Sequence, residues 1–208
     1  IQASGYTHVI AVCISAALSG TYQETQLLAE DSPLTVHVVN TRSVGIGSGF
    51  AAIYAAELRE QGKTFEQIVA EVERVTAQTK VFFYVPSLKY LQAGGRIGRV
   101  AGMAGTLLNV KPIISCDPEG VYYPIAKVRG EKRTISKLLD LVATTIGTAK
   151  RVNVAVCDGA DPELRQTVLE KLQAAHPNVL KWYAGDVSPA LGVHTGPGLI
   201  GVGIQILD

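Results

Sequence analysis

Apolar residues in this chain fall into two rhythms, short unbroken runs and helical stripes. "HVIAVCI" (8–14) is an unbroken run rich in β-branched residues, and it predicts a strand buried on both faces, as in a parallel sheet. A helix is predicted over 19–30, stopped by Asp31-Ser32-Pro33. "LTVHVVN" (34–40) is the next strand. "GIGSG" (45–49) then turns the chain into a second helix, "FAAIYAAELREQG", closed by Gly62. Thr64 and Gln67 have capping-box spacing. Behind them Phe65, Ile68, Val69, Val72 and Val75 form one apolar stripe, the mark of a third helix. Residues 1–79 thus read βαβα, which implies a parallel sheet with covering helices.

After residue 80 the pattern changes. "VFFYV" (81–85) is a strand, and "PSLKYLQAGGRIG" (86–98) a short helix ending in paired glycines. "VKPIISC" and "VYYPIAKV" flank the turn signal "DPEG" and predict a hairpin. A helix is predicted over 131–149 and a strand over 152–157. Asp161-Pro162-Glu163 supplies a strong helix start, with a capping acid, proline at the first position and an acid in the first turn. "VLKWYAG" and "LIGVGIQIL" are late strands. No internal repeat is present, and the division falls into 1–79 and 80–208.

Composition narrows the function. Of 208 residues, 47% are hydrophobic and 18% charged, so the chain builds a real core. A net charge of +1 without a basic stripe argues against nucleic acid as a partner. No apolar run reaches the roughly 18 residues of a membrane span. Cys13, Cys116 and Cys157 are odd in number and form no CxxC pair, which argues against a disulfide framework or a zinc site and fits a reducing cytoplasm. "IQASGY" at the start resembles neither an initiator nor a signal peptide. It reads as the end of a helix, and an upstream segment is expected in the natural protein.

Several stretches carry candidate chemistry. In "ISAALSGTYQ", Ser15 or Ser19 can cap a helix; equally, a hydroxyl beside the first-turn amides of Gly20 and Thr21 can hold a carboxylate or phosphate. "GIGSG" is a weak likeness of a dinucleotide-binding turn, because Gly47 and Gly49 stand too close and a helix occupies the place of the strand that should carry the acid. A nucleotide-dependent, Rossmann-like enzyme using that turn is the alternative reading. "LQAGGRIGR" sets Arg96 among glycines, where it is either solvated at a helix end or a phosphate or partner contact. "KVRGEKR" (127–133), which includes Arg129, reads alone as a solvated basic cluster. "LGVHTGPGLIGVG" places His194 in a loop bordered by glycines, where backbone can approach a ligand. No GxSxG elbow, HExxH or Walker A motif is present.

Taken in order, "ISAALSGTYQ", "VVNTRSVGIGSGF", "YLQAGGRIGRVAGMAGTLLNVKPI", "KVRGEKR" and "GVHTGPGLIGVG" resemble the DegV family of fatty-acid-binding proteins, through nearly the whole chain. Asn40-Thr41 stands where the family usually has Asp-Ser, and Ser15-Ala16 where it often has Ser-Ser. The resemblance implies a two-domain α/β fold: a Rossmann-like parallel-sheet domain, shortened at its front, and an α+β domain with a largely antiparallel sheet. It implies a long-chain fatty acid buried between the domains and presented to a separate fatty-acid kinase, which makes an acyl phosphate for phospholipid synthesis. On this basis the chain is a lipid-binding protein and not itself a catalyst, it needs no cofactor or metal, and its membrane contact is at most transient. The resemblance assigns the carboxylate to Ser19 and His194, helped by the Gly20 and Thr21 amides and by a threonine of the missing front. It assigns Arg96, with Arg129, to the phosphorylated head group or the kinase.

Overall fold

Strand β1 (His8–Cys13) lies parallel to β2 (Thr35–Asn40), in register from His8 opposite Thr35 to Cys13 opposite Asn40. Helix α1 (Thr21–Glu30) makes the crossover between them. These belong to a computed structural model that describes residues 1–103 and 110–208; residues 104–109, within the third resembling segment, lie outside the described residues. β1 departs from its expected burial. His8 is exposed, Val9–Val12 are half-buried, and only Cys13 is buried. The reason is local: among the described residues β1 has one strand neighbour, and α1 buries none of its side chains, leaving Leu27 and Leu28 in the open.

Helices α2 (Ile46–Glu60) and α3 (Phe65–Gln78) follow. Their apolar stripes meet around Tyr54, Leu58, Ile68 and Val72, with Val39 of β2 and Leu207 from the far end of the chain. The α3 capping box forms as its spacing predicts: the Gln67 amide donates to Thr64 Oγ1 at 3.3 Å and the Thr64 amide donates to Gln67 Oε1 at 3.1 Å.

The second sheet holds β3 (Lys80–Tyr84), β4 (Val110–Cys116), β5 (Tyr122–Arg129), β6 (Val152–Gly159), β7 (Lys181–Asp186) and β8 (Leu199–Ile206), in the order β5-β4-β3-β8-β6-β7. Only β6 and β7 run parallel; the other neighbours are antiparallel. Parallel and antiparallel sheets in one α/β chain match the expected fold class. Helices α5 (Glu131–Ile146) and α6 (Pro162–Ala175) cover one face, over Ile200, Val202 and Ile204 of β8. As predicted, Asp161 caps α6, accepting from the Leu164 amide at 3.1 Å.

The alternate positions of β8 point to the opposite face. There the Gln205 amide donates to the Phe50 carbonyl at 3.2 Å and accepts from Asn153 Nδ2 at 2.9 Å, which fixes α2 to the sheet. A second tie joins the two sheets, where Ser15 Oγ donates to the Gly120 carbonyl at 2.9 Å. Among the described residues no helix is long and apolar enough to cross a membrane.

Candidate functional site

The turn after β1 is built by one buried serine. The Ser15 carbonyl accepts from the amides of Leu18 and Ser19, and its Oγ accepts from the Ala17 amide. Ser15 thereby meets the hydrogen-bonding needs of the turn, and Ser19 is left to the helix start. Helix α1 begins at Thr21 with Gly20 before it, two residues later than the sequence predicts. Ser19 Oγ accepts from the Thr21 amide at 3.3 Å and shares a 2.8 Å hydrogen bond with Thr21 Oγ1.

Ser19 opens onto a cavity of about 580 Å³ on the sheet face away from α5 and α6. That volume lies within the roughly 300–1,000 Å³ usual for ligand pockets. Its walls are mainly apolar: Ile14 and Leu18 from the first turn, Val44 and Ile46 before and in α2, Val187 and Leu191 near the end of the chain. An apolar annex of about 30 Å³ continues it, sharing Val44, Ile46, Tyr122, Cys157, Val187 and Leu191 and adding Phe83, Leu199 and Gly201.

The polar side chains are few. His194 lines the cavity, but it sits in helix α7 (Pro189–Thr195), not in a loop. Ser188-Pro189 starts that helix and Gly196, at φ 74°, ends it, so the flanking glycine that reads as a flexible loop is a helix stop. The His194 ring lies against Gly94, which follows helix α4 (Lys89–Ala93). A Cβ at Gly94 would fall 2.2 Å from His194 Nδ1, so that glycine is needed for space. Nδ1 is buried and has no hydrogen-bond partner among the described residues. Arg96 lines the same cavity and braces two chain turns: Nε donates to the Leu18 carbonyl at 3.3 Å and Nη1 to the Gly94 carbonyl at 2.6 Å.

One acid, Asp186, also borders the cavity, and it shares a single cation with a second acid. Arg165 Nη1 donates to Asp186 Oδ1 at 2.6 Å and to the buried Asp158 at 2.7 Å. One positive charge thus serves two carboxylates there, and Arg96 bears the positive charge available to an incoming anion. Burial, and secondarily the Asp158 charge, pushes the Cys157 thiol up to about 11 from its ordinary 9.0. Burial raises Cys116 to about 12. The folded state thus holds protons that the unfolded chain releases above about pH 9, so stability is full below that pH and is lost as pH rises toward 11. Urea midpoints are expected to fall across this window, and Cys157→Ala should reduce the fall. A flat profile would contradict the burial of these thiols.

The fold brings together Ser19, Arg96 and His194, which are distant in sequence. Gly20 and Thr21 adjoin Ser19 without lining the cavity, and the exposed Arg129, at the end of β5 opposite Val110, also stands outside its lining. The "GIGSG" turn is closed: the amides of Gly47, Ser48 and Gly49 donate to the carbonyls of Val44 and Gly45. Sequence reasoning missed Tyr122, Cys157, Leu191 and Gly201. Of these only Gly201 left a signal, since glycines two apart in the strand "LIGVGIQIL" fall on one sheet face. Among the described residues no group of three or more His, Cys, Asp or Glu is placed to hold a metal ion.

Comparison with known proteins agrees with this architecture. The family described as "Uncharacterised protein, DegV family" matches residues 1–206. A DegV domain-containing protein of Clostridium perfringens is 40% identical over 206 residues, 99% of this chain and 73% of that protein. Among solved structures, a fatty-acid-binding DegV family protein from Thermus thermophilus superposes with a TM-score of 0.93 at 31% identity, over 99% of this chain and 73% of the other. DegV of Bacillus subtilis, a fatty acid binding protein, gives 0.88 at 28% identity over 99% and 73% of the two chains.

Proposed function

The chain belongs to the DegV family, and on that premise we propose that it binds a long-chain fatty acid in the cavity between its two sheets. The observation that carries this reading is the cavity itself: about 580 Å³, apolar along most of its walls, with Ser19, His194 and Arg96 converging on it. Each methylene removed from water contributes roughly 0.8 kcal/mol, so a long tail supplies ample affinity. A carboxylate taken out of water needs partners, because an unpaired buried charge is prohibitively costly. The Ser19 hydroxyl and the cavity-lining His194 ring are those partners, with the start of α1 adding its dipole. Two similar solved structures, from Thermus thermophilus and Bacillus subtilis, are of fatty-acid-binding proteins with the same fold, which supports the reading.

In this proposal the protein is a carrier. It presents the carboxylate to a separate fatty-acid kinase, which forms an acyl phosphate for phospholipid synthesis, in the cytoplasm and with no cofactor of its own. Residues 1–79 and 80–208 act as the two domains that enclose the ligand. Arg96, exposed at the cavity mouth, meets the phosphorylated head group or the kinase, and Arg129 serves the kinase from farther off.

The test is extraction followed by mass spectrometry. Denatured protein should release a long-chain fatty acid near one per chain, and labelled fatty acid should rebind. Protein that neither releases nor binds one sinks the proposal. For the kinase step, Arg96→Ala should leave fatty-acid affinity within a few-fold of wild type while lowering acyl phosphate formation on the order of tenfold, the scale of a lost charged hydrogen bond. Equal turnover would return Arg96 to a bracing role.

A further inference from the structure

Strand β8 carries two glycines on the face that looks into the cavity side of the sheet, and they are treated differently. Gly203 stands opposite Val81 of β3 and Ala155 of β6. The space over it is filled by α2: a Cβ there would come within 2.7 Å of Ile46 Cγ2 and 3.0 Å of Phe50 Cε2. Gly201 is one step along the same face, opposite Phe83 and Cys157. No helix fills the space over it. A Cβ there would meet Leu199 Cδ2 and Phe83 Cβ only at 3.7 Å, ordinary contact. Phe83, Gly201 and Cys157 all line the apolar annex, whose slot is the side chain that Gly201 lacks.

We propose that Gly201 sets the reach of the cavity and so the acyl chain length the protein prefers, the slot between Phe83 and Cys157 receiving the methyl end of the tail. The inference rests on the fatty-acid reading above and deepens it by naming the residue that selects among fatty acids. The annex has the chemistry for a hydrocarbon end: its lining is apolar apart from the Thr195 hydroxyl, which donates to the Leu191 carbonyl, and the Tyr122 phenol and Cys157 thiol, which burial keeps protonated. It also has the scale. At about 30 Å³ it holds roughly one terminal group, so one added methyl at Gly201 is enough to close it.

The test is a homologous series of saturated straight-chain fatty acids titrated against the wild type, Gly201→Ala and Cys157→Ala. Gly201→Ala fills the slot at ordinary contact distance from its wall, without a clash, and should shift the best-bound homologue to a shorter one. Affinity for the longest well-bound acids should fall by roughly fourfold for each methylene displaced, with the shortest acids unaffected. Cys157→Ala widens the same row and should shift the preference the other way. Identical length profiles for all three proteins overturn the inference while leaving fatty-acid binding intact. A wild type that binds no member of the series overturns the acyl reading and this inference with it. Should Gly201→Ala fail to fold, Cys157→Ala decides alone, and an unlengthened preference counts against the proposal.

Discussion

Replacing His194 by alanine is expected to weaken binding of a long-chain fatty acid by about 1.5–3 kcal/mol, the range of a hydrogen bond to a charged group. That is on the order of ten- to a hundredfold in Kd. The His194 ring lines the cavity with Nδ1 buried against Gly94, which leaves the other edge of the ring to meet a carboxylate. Ser19→Ala should cost less, because the amide that Ser19 now accepts from, that of Thr21, remains as a donor for the ligand. The double variant should lose less than the sum of the two, since both side chains serve one ligand group. A fatty alcohol of equal length should bind the wild type less tightly and respond less to His194→Ala. Titration of acid and alcohol against the four proteins gives the answer. If the acid binds all four alike, neither residue belongs to a carboxylate clamp.

Gly120→Ala is expected to be among the most damaging single substitutions to stability, on the order of 3 kcal/mol. Two penalties combine there. Gly120 sits at φ 81° in the β4–β5 turn, which costs a residue with a Cβ roughly 1–2 kcal/mol. The new Cβ would also fall 2.0 Å from Ser15 Oγ and 3.1 Å from the Arg42 Cα, an overpacking that costs about 1–3 kcal/mol. The turn cannot swing aside, because Asp117 Oδ1 accepts from the Glu119 and Val121 amides and holds it. For a chain of this size the melting temperature should drop by roughly 5–10 °C. Gly185→Ala, with φ outside the left-handed region and nothing within 4 Å of its Cβ, is the control and should change little. Equal melting of the two variants would mean that the Ser15–Gly120 seam does not hold the sheets together.

The elements were legible wherever the signal was local. The capping box at Thr64 and the Asp161-Pro162 start produced the helices they predict, because both depend on residues within one turn. The "DPEG" hairpin formed for the same reason. Burial of β1 was not legible. An unbroken apolar run specifies a strand, but what covers its faces is decided by other parts of the chain. The glycines around His194 were ambiguous for a related reason: the left-handed turn at Gly196 ends a helix as readily as it loosens a loop. Of the candidate site, Ser19, Arg96 and His194 could be singled out by local chemistry or family likeness. Tyr122, Cys157 and Leu191 could not, because they line the cavity only as ordinary core-type side chains that the fold happens to leave facing space.

The strand order of the large sheet has a consequence in time. β8 lies between β3 and β6, yet among the strands of the described residues it comes last in sequence. Until it inserts, β3 and β6 have no common neighbour, and the sheet exists only as two separate fragments. Closing it requires contacts between residues far apart in sequence, whose loop entropy must be overcome before any pairing energy returns, so slow folding is expected. β8 also carries Gly203, over which α2 packs, and Gly201, which lines the annex of the cavity. A ribosome that has released everything up to β7 has therefore made most of the cavity walls, but the annex and the seat of α2 are completed only as β8 emerges.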